Sequence, residues 1–205
     1  NLVFLPEGRP QRLDLYVRYA RDLKVRRPGV LFIHGGGFTG GDKAEYRSAS
    51  VSADLARAGA RVVVNGRTEP RVDGAVTHLR DETGGEVVGV VADVATAEGA
   101  AELAAREPHV DVLVNNASSF YPTPLDNCSD EQWHDLTNSN LKGGFFLTKK
   151  LAPMLRDSHG SVINISDMHA RQALKNHPIY TIAKAGTIAM TKSLALELAP
   201  NVRVN

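Results

Sequence analysis

From about residue 60 onward, apolar residues fall in short consecutive runs separated by longer stretches with helical period. Arg61-Val62-Val63-Val64, Glu86–Val91, Asp111–Asn115, Ser161–Ile165 and Val202–Asn205 read as strands. Between them the pattern predicts helices near Pro70–Glu82 and Thr96–Arg106, over a long region from Asp130 to Arg156, and from about Pro178 to Leu198. The strands are rich in Val and Ile at successive positions, which is what parallel strands covered on both faces require. Ser129-Asp130-Glu131-Gln132 supplies a capping box for the long helical region. Strand–helix alternation of this kind predicts an α/β fold, a doubly wound parallel sheet with helices on both faces. Ligands of such sheets bind at the carboxyl ends of the strands.

The first 60 residues have another character. Leu13, Leu15 and Val17 alternate with polar residues, which predicts a half-exposed strand, in a hairpin with Val3–Leu5. Gly29-Val30-Leu31-Phe32-Ile33 reads as a buried strand that runs into a glycine-rich loop, His34 to Lys43, and a helix is expected near Tyr46–Ala58. The domain division expected is an N-terminal extension over 1–28 and a catalytic domain over 29–205.

Composition excludes several functions. With 42% hydrophobic residues in 205, the chain can bury a sizeable core. Its net charge of +1, from 24 basic and 23 acidic residues, gives no electrostatic case for a nucleic-acid or anionic-membrane partner. No apolar run reaches the roughly 18–20 residues of a membrane span. The single cysteine, Cys128, rules out an internal disulfide framework and fits a cytoplasmic location. No metal is expected. The chain opens without Met and closes inside a predicted strand, so both ends read as cut.

The candidate chemistry starts from Tyr180 and Lys184, four apart on one predicted helix and so on one face. A free tyrosine titrates at about 10, and a neighbouring ammonium is expected to lower that value toward the working range of a general acid. The same spacing also occurs on ordinary solvated helix faces. Its surroundings narrow the choice.

Residues 160–205, with Gly160-Ser161-Val162-Ile163-Asn164-Ile165-Ser166-Asp167, Tyr180-Thr181-Ile182-Ala183-Lys184 and Leu194-Ala195-Leu196-Glu197-Leu198-Ala199-Pro200, resemble the catalytic strand and helix of the short-chain dehydrogenase/reductase family. Asn115-Asn116-Ala117-Ser118 resembles that family's Asn-Asn-Ala-Gly turn, and Asp93-Val94 its adenine-side turn. The resemblance covers residues 60–205. It implies a Rossmann-like fold, a nicotinamide cofactor touching Asp93, Val94, Asn115, Ala117 and Ser118, and Asn140 as support for a proton-relay water.

Within the family the sequence looks most like pteridine reductases. Asn116-Ala117-Ser118-Ser119-Phe120-Tyr121-Pro122-Thr123-Pro124-Leu125 resembles their substrate loop, and Asp167 stands where most family members carry serine and pteridine reductases carry aspartate. The resemblance implies a pterin-like substrate stacked on Phe120, contact with Ser118, Asp167 holding the proton donor Tyr180, and Lys184 on the nicotinamide ribose. A flat heteroaromatic ring suits an aromatic face and a carboxylate that receives its N–H groups. On the residues alone, Phe120 could equally be a core aromatic and Asp167 a turn cap.

The cofactor expected is NADPH. After the second Val-rich strand the chain reads Asn65-Gly66-Arg67-Thr68. No acidic residue is there to accept from ribose hydroxyls, whereas Arg67 and Thr68 offer donors to a 2′-phosphate. The tetrapeptide also fits a solvent-facing arginine in a glycine turn.

The glycine loop departs from the family. His34-Gly35-Gly36-Gly37-Phe38 and the flanking Arg12–Tyr16 and Gly40–Lys43 make residues 1–58 resemble an α/β-hydrolase, specifically an esterase like hormone-sensitive lipase, where such a loop forms an oxyanion hole. No serine has glycine two positions before it, so the nucleophile elbow of those esterases is missing. A glycine-rich loop at a helix start can bind phosphate in either setting, and Gly35, Gly37, Gly40 and Gly41 are assigned to the cofactor. The family's Pro-Gly turn, substrate-covering lid and last strand would follow Asn205.

Three functions are therefore weighed: an NADPH-dependent pterin reductase with Tyr180 as proton donor, a catalytically silent nucleotide-binding domain, and, last, an esterase. A homodimer or homotetramer is expected through the two long helical regions.

Overall fold

The computed structural model describes residues 29–33, as backbone, and 51–205. The chain runs β1 (Gly29–Ile33), α1 (51–57), β2 (Arg61–Gly66), α2 (Glu69–Thr83), β3 (Val87–Val91), α3 (Ala97–Arg106) and β4 (Val112–Asn115). It continues through α4 (Asp130–Thr137), α5 (Gly143–Asp157), β5 (Ser161–Asn164), α6 (Pro178–Leu198) and β6 (Arg203–Val204). The predicted hairpin, the 1–28 extension and the glycine loop with Gly35, Gly37, Gly40 and Gly41 lie outside the described residues. So does the esterase-like character read into residues 1–58, apart from β1 and α1.

The six strands among the described residues are all parallel, in the order β3-β2-β1-β4-β5-β6. The order reverses at β1, which pairs with β2 through Gly29↔Arg61 and with β4 through Val30↔Val112. A crevice opens where neighbouring connections leave to opposite faces. The strands there show why successive apolar residues were needed. Val63 and Leu113 point into a core with Leu103, Leu147, Leu151 and Leu155 from α3 and α5. Val62, Val64 and Val114 point the other way, against Leu55 and Leu79 from α1 and α2.

Two glycines set how closely the helices press on the crevice. A Cβ at Gly99 would lie 2.1 Å from the Asp93 carbonyl oxygen, and one at Gly143 would lie 2.8 Å from that of Val94. Both helices α3 and α5 thus rest on the backbone of the turn after β3. Thr96 caps α3 by accepting from Gly99 N at 3.0 Å.

The capping box at Ser129 forms as expected: Ser129 Oγ accepts from Gln132 N at 3.3 Å, and Gln132 Oε1 from Ser129 N at 3.0 Å. The single long helical region predicted over 130–156 is corrected, because a π turn over Asn138–Lys142 divides it. An inserted residue of this kind frees a side chain to turn inward, and the side chain turned is Asn140. No helix among the described residues is long and apolar enough to cross a membrane.

Below the sheet's other end, Glu107 is buried, its side chain 4% exposed, and pairs with Arg61, which also donates to Glu86 at 3.0 Å. Removing the cation strands a carboxylate in the interior, whereas removing the acid leaves a half-exposed arginine still facing Glu86. Arg61→Ala is therefore expected to cost about 3 kcal/mol, and Glu107→Gln clearly less, in urea unfolding. Equal costs would contradict this asymmetry.

Candidate active site

Helix α6 begins at Pro178, whose missing N–H suits a first helical turn. It carries Tyr180 and Lys184 inward, 5% and 3% exposed. Lys184 Nζ donates to the Ile165 carbonyl at 3.0 Å, just past the end of β5, and lies 5.7 Å from the centre of the Tyr180 ring. The Tyr180 hydroxyl donates to Asp167 Oδ2 at 3.1 Å. The other carboxylate oxygen, Oδ1, accepts from His169 N at 2.8 Å, so both oxygens of Asp167 have partners. Asp167 is thus a turn cap and the tyrosine's partner at once.

The electrostatics differ from expectation. Burial, then the Asp167 charge and the hydrogen bond to it, hold the Tyr180 phenol well above its usual value, with Ser118 alone pulling the other way. The expected lowering by Lys184 is corrected. The carboxylate meets the hydroxyl directly, while the ammonium is drawn back to a backbone carbonyl. Burial also pushes Lys184 down to about 8, opposed by Asp167. Tyr180 accordingly rests as a neutral phenol with its proton toward Asp167.

Asn140, buried in the π turn, uses its amide fully. Its Nδ2 donates to the Leu136 and Ser119 carbonyls, both at 2.9 Å, and its Oδ1 accepts from Ser118 Oγ at 2.6 Å. Its own carbonyl accepts from Thr187 of α6 at 3.2 Å. Asn140 therefore braces the loop after β4 against α4 and α6, and holds Ser118 beside Tyr180. Tyr121 ties the same loop to α4 by donating to Asp135 at 2.8 Å.

Next to this group a cavity of about 430 Å³ opens at the carboxyl ends of β2, β3 and β4. It brings together Arg67 and Thr68 after β2, Asp93 and Val94 after β3, and Ala117 and Ser118 after β4. Asn115 does not line it. Its Nδ2 donates to Asn164 Oδ1 at 2.9 Å and Thr148 Oγ1 at 3.1 Å, holding β4 to β5 and α5. Sequence reasoning missed Arg71 of α2 and Asp135, Asn138 and Ser139, which also line the cavity. Arg71 was legible as one helical turn beyond Arg67, whereas the other three reach the cavity only through the packing of α4 and the π turn that follows it.

The cavity suits an anionic dinucleotide at its outer end. Two arginines face it, and Thr68, in the N-cap position of α2, makes no cap bond with its hydroxyl. That hydroxyl and the α2 N-terminus are available to an anion.

Comparison with known proteins agrees with this geometry. The profile of the short chain dehydrogenase family matches residues 48–205. Dehydrogenase/reductase SDR family member 4 of Sus scrofa is 35% identical over 164 residues, which cover 76% of this chain and 58% of that protein. L-sorbose reductase from Gluconobacter frateurii, solved with NADPH and L-sorbose, superposes with a TM-score of 0.78 at 27% identity, covering 88% of this chain and 68% of that one. A metagenomic short-chain oxidoreductase in complex with NADP gives 0.74 at 26% identity, over 87% of this chain and 80% of its own. With its parallel sheet, its Tyr180–Lys184 helix and a profile match across most of its length, the chain belongs to the short-chain dehydrogenase/reductase family.

Proposed function

We propose that this chain is the cofactor-binding and catalytic core of an NADPH-dependent reductase acting on a pterin, a dihydropterin or a related planar heterocycle. The observation that carries the reading is the hydrogen bond from Tyr180 to Asp167, a carboxylate where most of the family is expected to carry serine. The domain proposed runs over 29–205, a reading supported by the pairing of β1 in the middle of the sheet. The chain spans 58% of the length of the mammalian relative, so the activity of the whole protein is part of the proposal.

When bound, the reduced nicotinamide supplies a hydride to a ring carbon of a C=N bond. Tyr180 gives its hydroxyl proton to the adjacent nitrogen, which completes a CH–NH unit. Its raised pKa leaves the hydroxyl protonated at neutral pH, so the proton is present to be given. The phenolate left behind faces the Lys184 ammonium. Asp167 orients the hydroxyl beforehand and offers an acceptor to a ring N–H once the hydroxyl turns away. Arg67, Thr68 and Arg71 would hold a 2′-phosphate. The assembly proposed is a homodimer or homotetramer, supported by exposed apolar side chains on α5 and α6: Phe145, Phe146, Ile182 and Leu196.

Mixing the protein with NADPH and dihydrobiopterin and following loss of the reduced-nicotinamide absorbance tests the reading. Turnover with NADPH well above that with NADH is expected; absence of turnover overturns it. Arg67→Ala and Arg71→Ala should each weaken NADPH binding about tenfold, as loss of a charge-assisted hydrogen bond does, and leave NADH binding unchanged. Equal losses for both cofactors in titration would remove these arginines from the 2′-phosphate.

A further inference from the structure

Phe120 is 56% exposed, so the core does not hold its ring. What holds it is His177, stacked on one face with ring centres 4.7 Å apart and planes 10° from parallel. Phe120 also meets Tyr180 in a T-shaped contact, ring centres 4.8 Å apart and planes at 72°. His177 stands just before α6 yet makes no cap bond with its side chain. Its Nδ1 donates to the Lys175 carbonyl at 2.9 Å, which fixes the imidazole plane.

The backbone around it is equally constrained. Asn176, with φ of +63°, turns its carbonyl to accept from Thr123 N at 2.6 Å, and Thr123 is fully buried. His177 N donates to the Leu174 carbonyl, and its own carbonyl accepts from Thr181 N as the first turn of α6. The loop after β4 and the segment before α6 are thus joined twice, by Thr123–Asn176 through backbone and by Phe120–His177 through rings.

We infer that His177 is the positioning residue for the aromatic wall of the substrate site: its stack fixes the Phe120 ring against the Tyr180 ring and so selects flat substrates. This rests on the reductase reading of the site. A stacked aromatic pair is rigid at low entropic cost, and an offset stack gains roughly 0.5–1.5 kcal/mol beyond burial. The exposed remainder of the ring then presents a preset plane on which a planar heterocycle stacks, whereas a puckered ring meets it at few atoms. His177 touches no reacting atom and acts only through Phe120.

The test compares His177→Ala with His177→Phe, which keeps a flat ring at the position. With dihydrobiopterin and NADPH, the alanine variant is expected to raise KM for the pterin about fivefold, with kcat and KM for NADPH unchanged, and the phenylalanine variant to restore it. Identical behaviour of the two variants, or a loss falling on kcat, overturns the inference. Two further measurements need no turnover. In proton NMR the His177 ring resonances should lie upfield and return in Phe120→Leu; unshifted resonances overturn the stack. Biopterin binding, followed by quenching of its fluorescence, should weaken in His177→Ala and not in His177→Phe; equal binding in all three proteins overturns the selection. Absence of turnover in the wild type fails the reductase reading alone, because the NMR and binding results still decide the role of His177.

Discussion

Tyr180→Phe is expected to lower kcat for the proposed dihydrobiopterin reduction about a thousandfold, within the range general acid catalysis supplies. The phenol donates to Asp167 and lies within hydrogen-bonding range of Ser118. Phenylalanine keeps the ring, its edge contact with Phe120 and its burial, so the change removes one oxygen and one proton. The lost hydrogen bond costs about 1 kcal/mol, or about 2–4 °C in Tm for a chain of this size. NADPH binding should change little. A variant that retains a tenth or more of the wild-type rate would remove Tyr180 from the proton path, and with it the chemical role assigned to α6.

Lys184→Met is expected to move activity and stability in opposite directions. The folded chain holds Lys184 at about 8 against an ordinary 10.5, with burial as the leading cause. Below pH 8 both folded and unfolded chains carry the proton, and the folded state bears the whole cost of a buried ammonium, on the order of 3 kcal/mol. Between pH 8 and 10.5 the unfolded chain holds a proton that the folded chain has released, so stability rises with pH there. Tyr180 acts oppositely: its raised pKa adds stability that is lost above pH 10, so the clean window is pH 8–10. In urea unfolding the wild type should gain stability across that window, and Lys184→Met should abolish the gain. At pH 7 the methionine variant should be more stable by about 1 kcal/mol, since the Ile165 carbonyl loses its donor, while kcat falls at least a hundredfold. A variant that is less stable at pH 7, with the pH dependence intact, would show that the ammonium is well solvated.

These opposite signs explain how a lysine came to be buried at this point. The nearest negative charge, on Asp167, is already engaged by Tyr180 and by His169 N. The ammonium leans on a carbonyl instead. A packed apolar side chain would satisfy the fold better, so the site holds its charge at the expense of stability.

Much of the architecture was legible in the chain. The Val-rich runs at residues 61–64, 112–115 and 161–164 became interior parallel strands because consecutive apolar residues need cover on both faces, and only a sheet between two helical layers provides it. Ser129 and Gln132 specified a helix start locally, within four residues. Tyr180 and Lys184 were legible as a pair because four residues make one helical turn. The π turn at Asn138–Lys142 was not legible, since nothing in local propensity separates it from a continuous helix. It exists because Asn140 finds partners in Ser118, Ser119 and Thr187, which come from other parts of the chain.

Periodicity and spacing therefore determined the α/β class, the parallel strands and the helix that bears the phenol and the lysine, while the chemistry expected of that pair came from the resemblance to the family. Tertiary structure alone decided how those groups are charged and where they point. How deeply the Tyr180 hydroxyl is buried and what it meets depend on the packing of β5, its following loop and α6, so burial and the direct contact with Asp167 raise the phenol where the spacing alone suggested a lowering. The same holds for Phe120, whose partner His177 lies 57 residues away in sequence and in ring contact in space. Electrostatic and stacking energies depend on separation through space, and separation along the chain does not encode it.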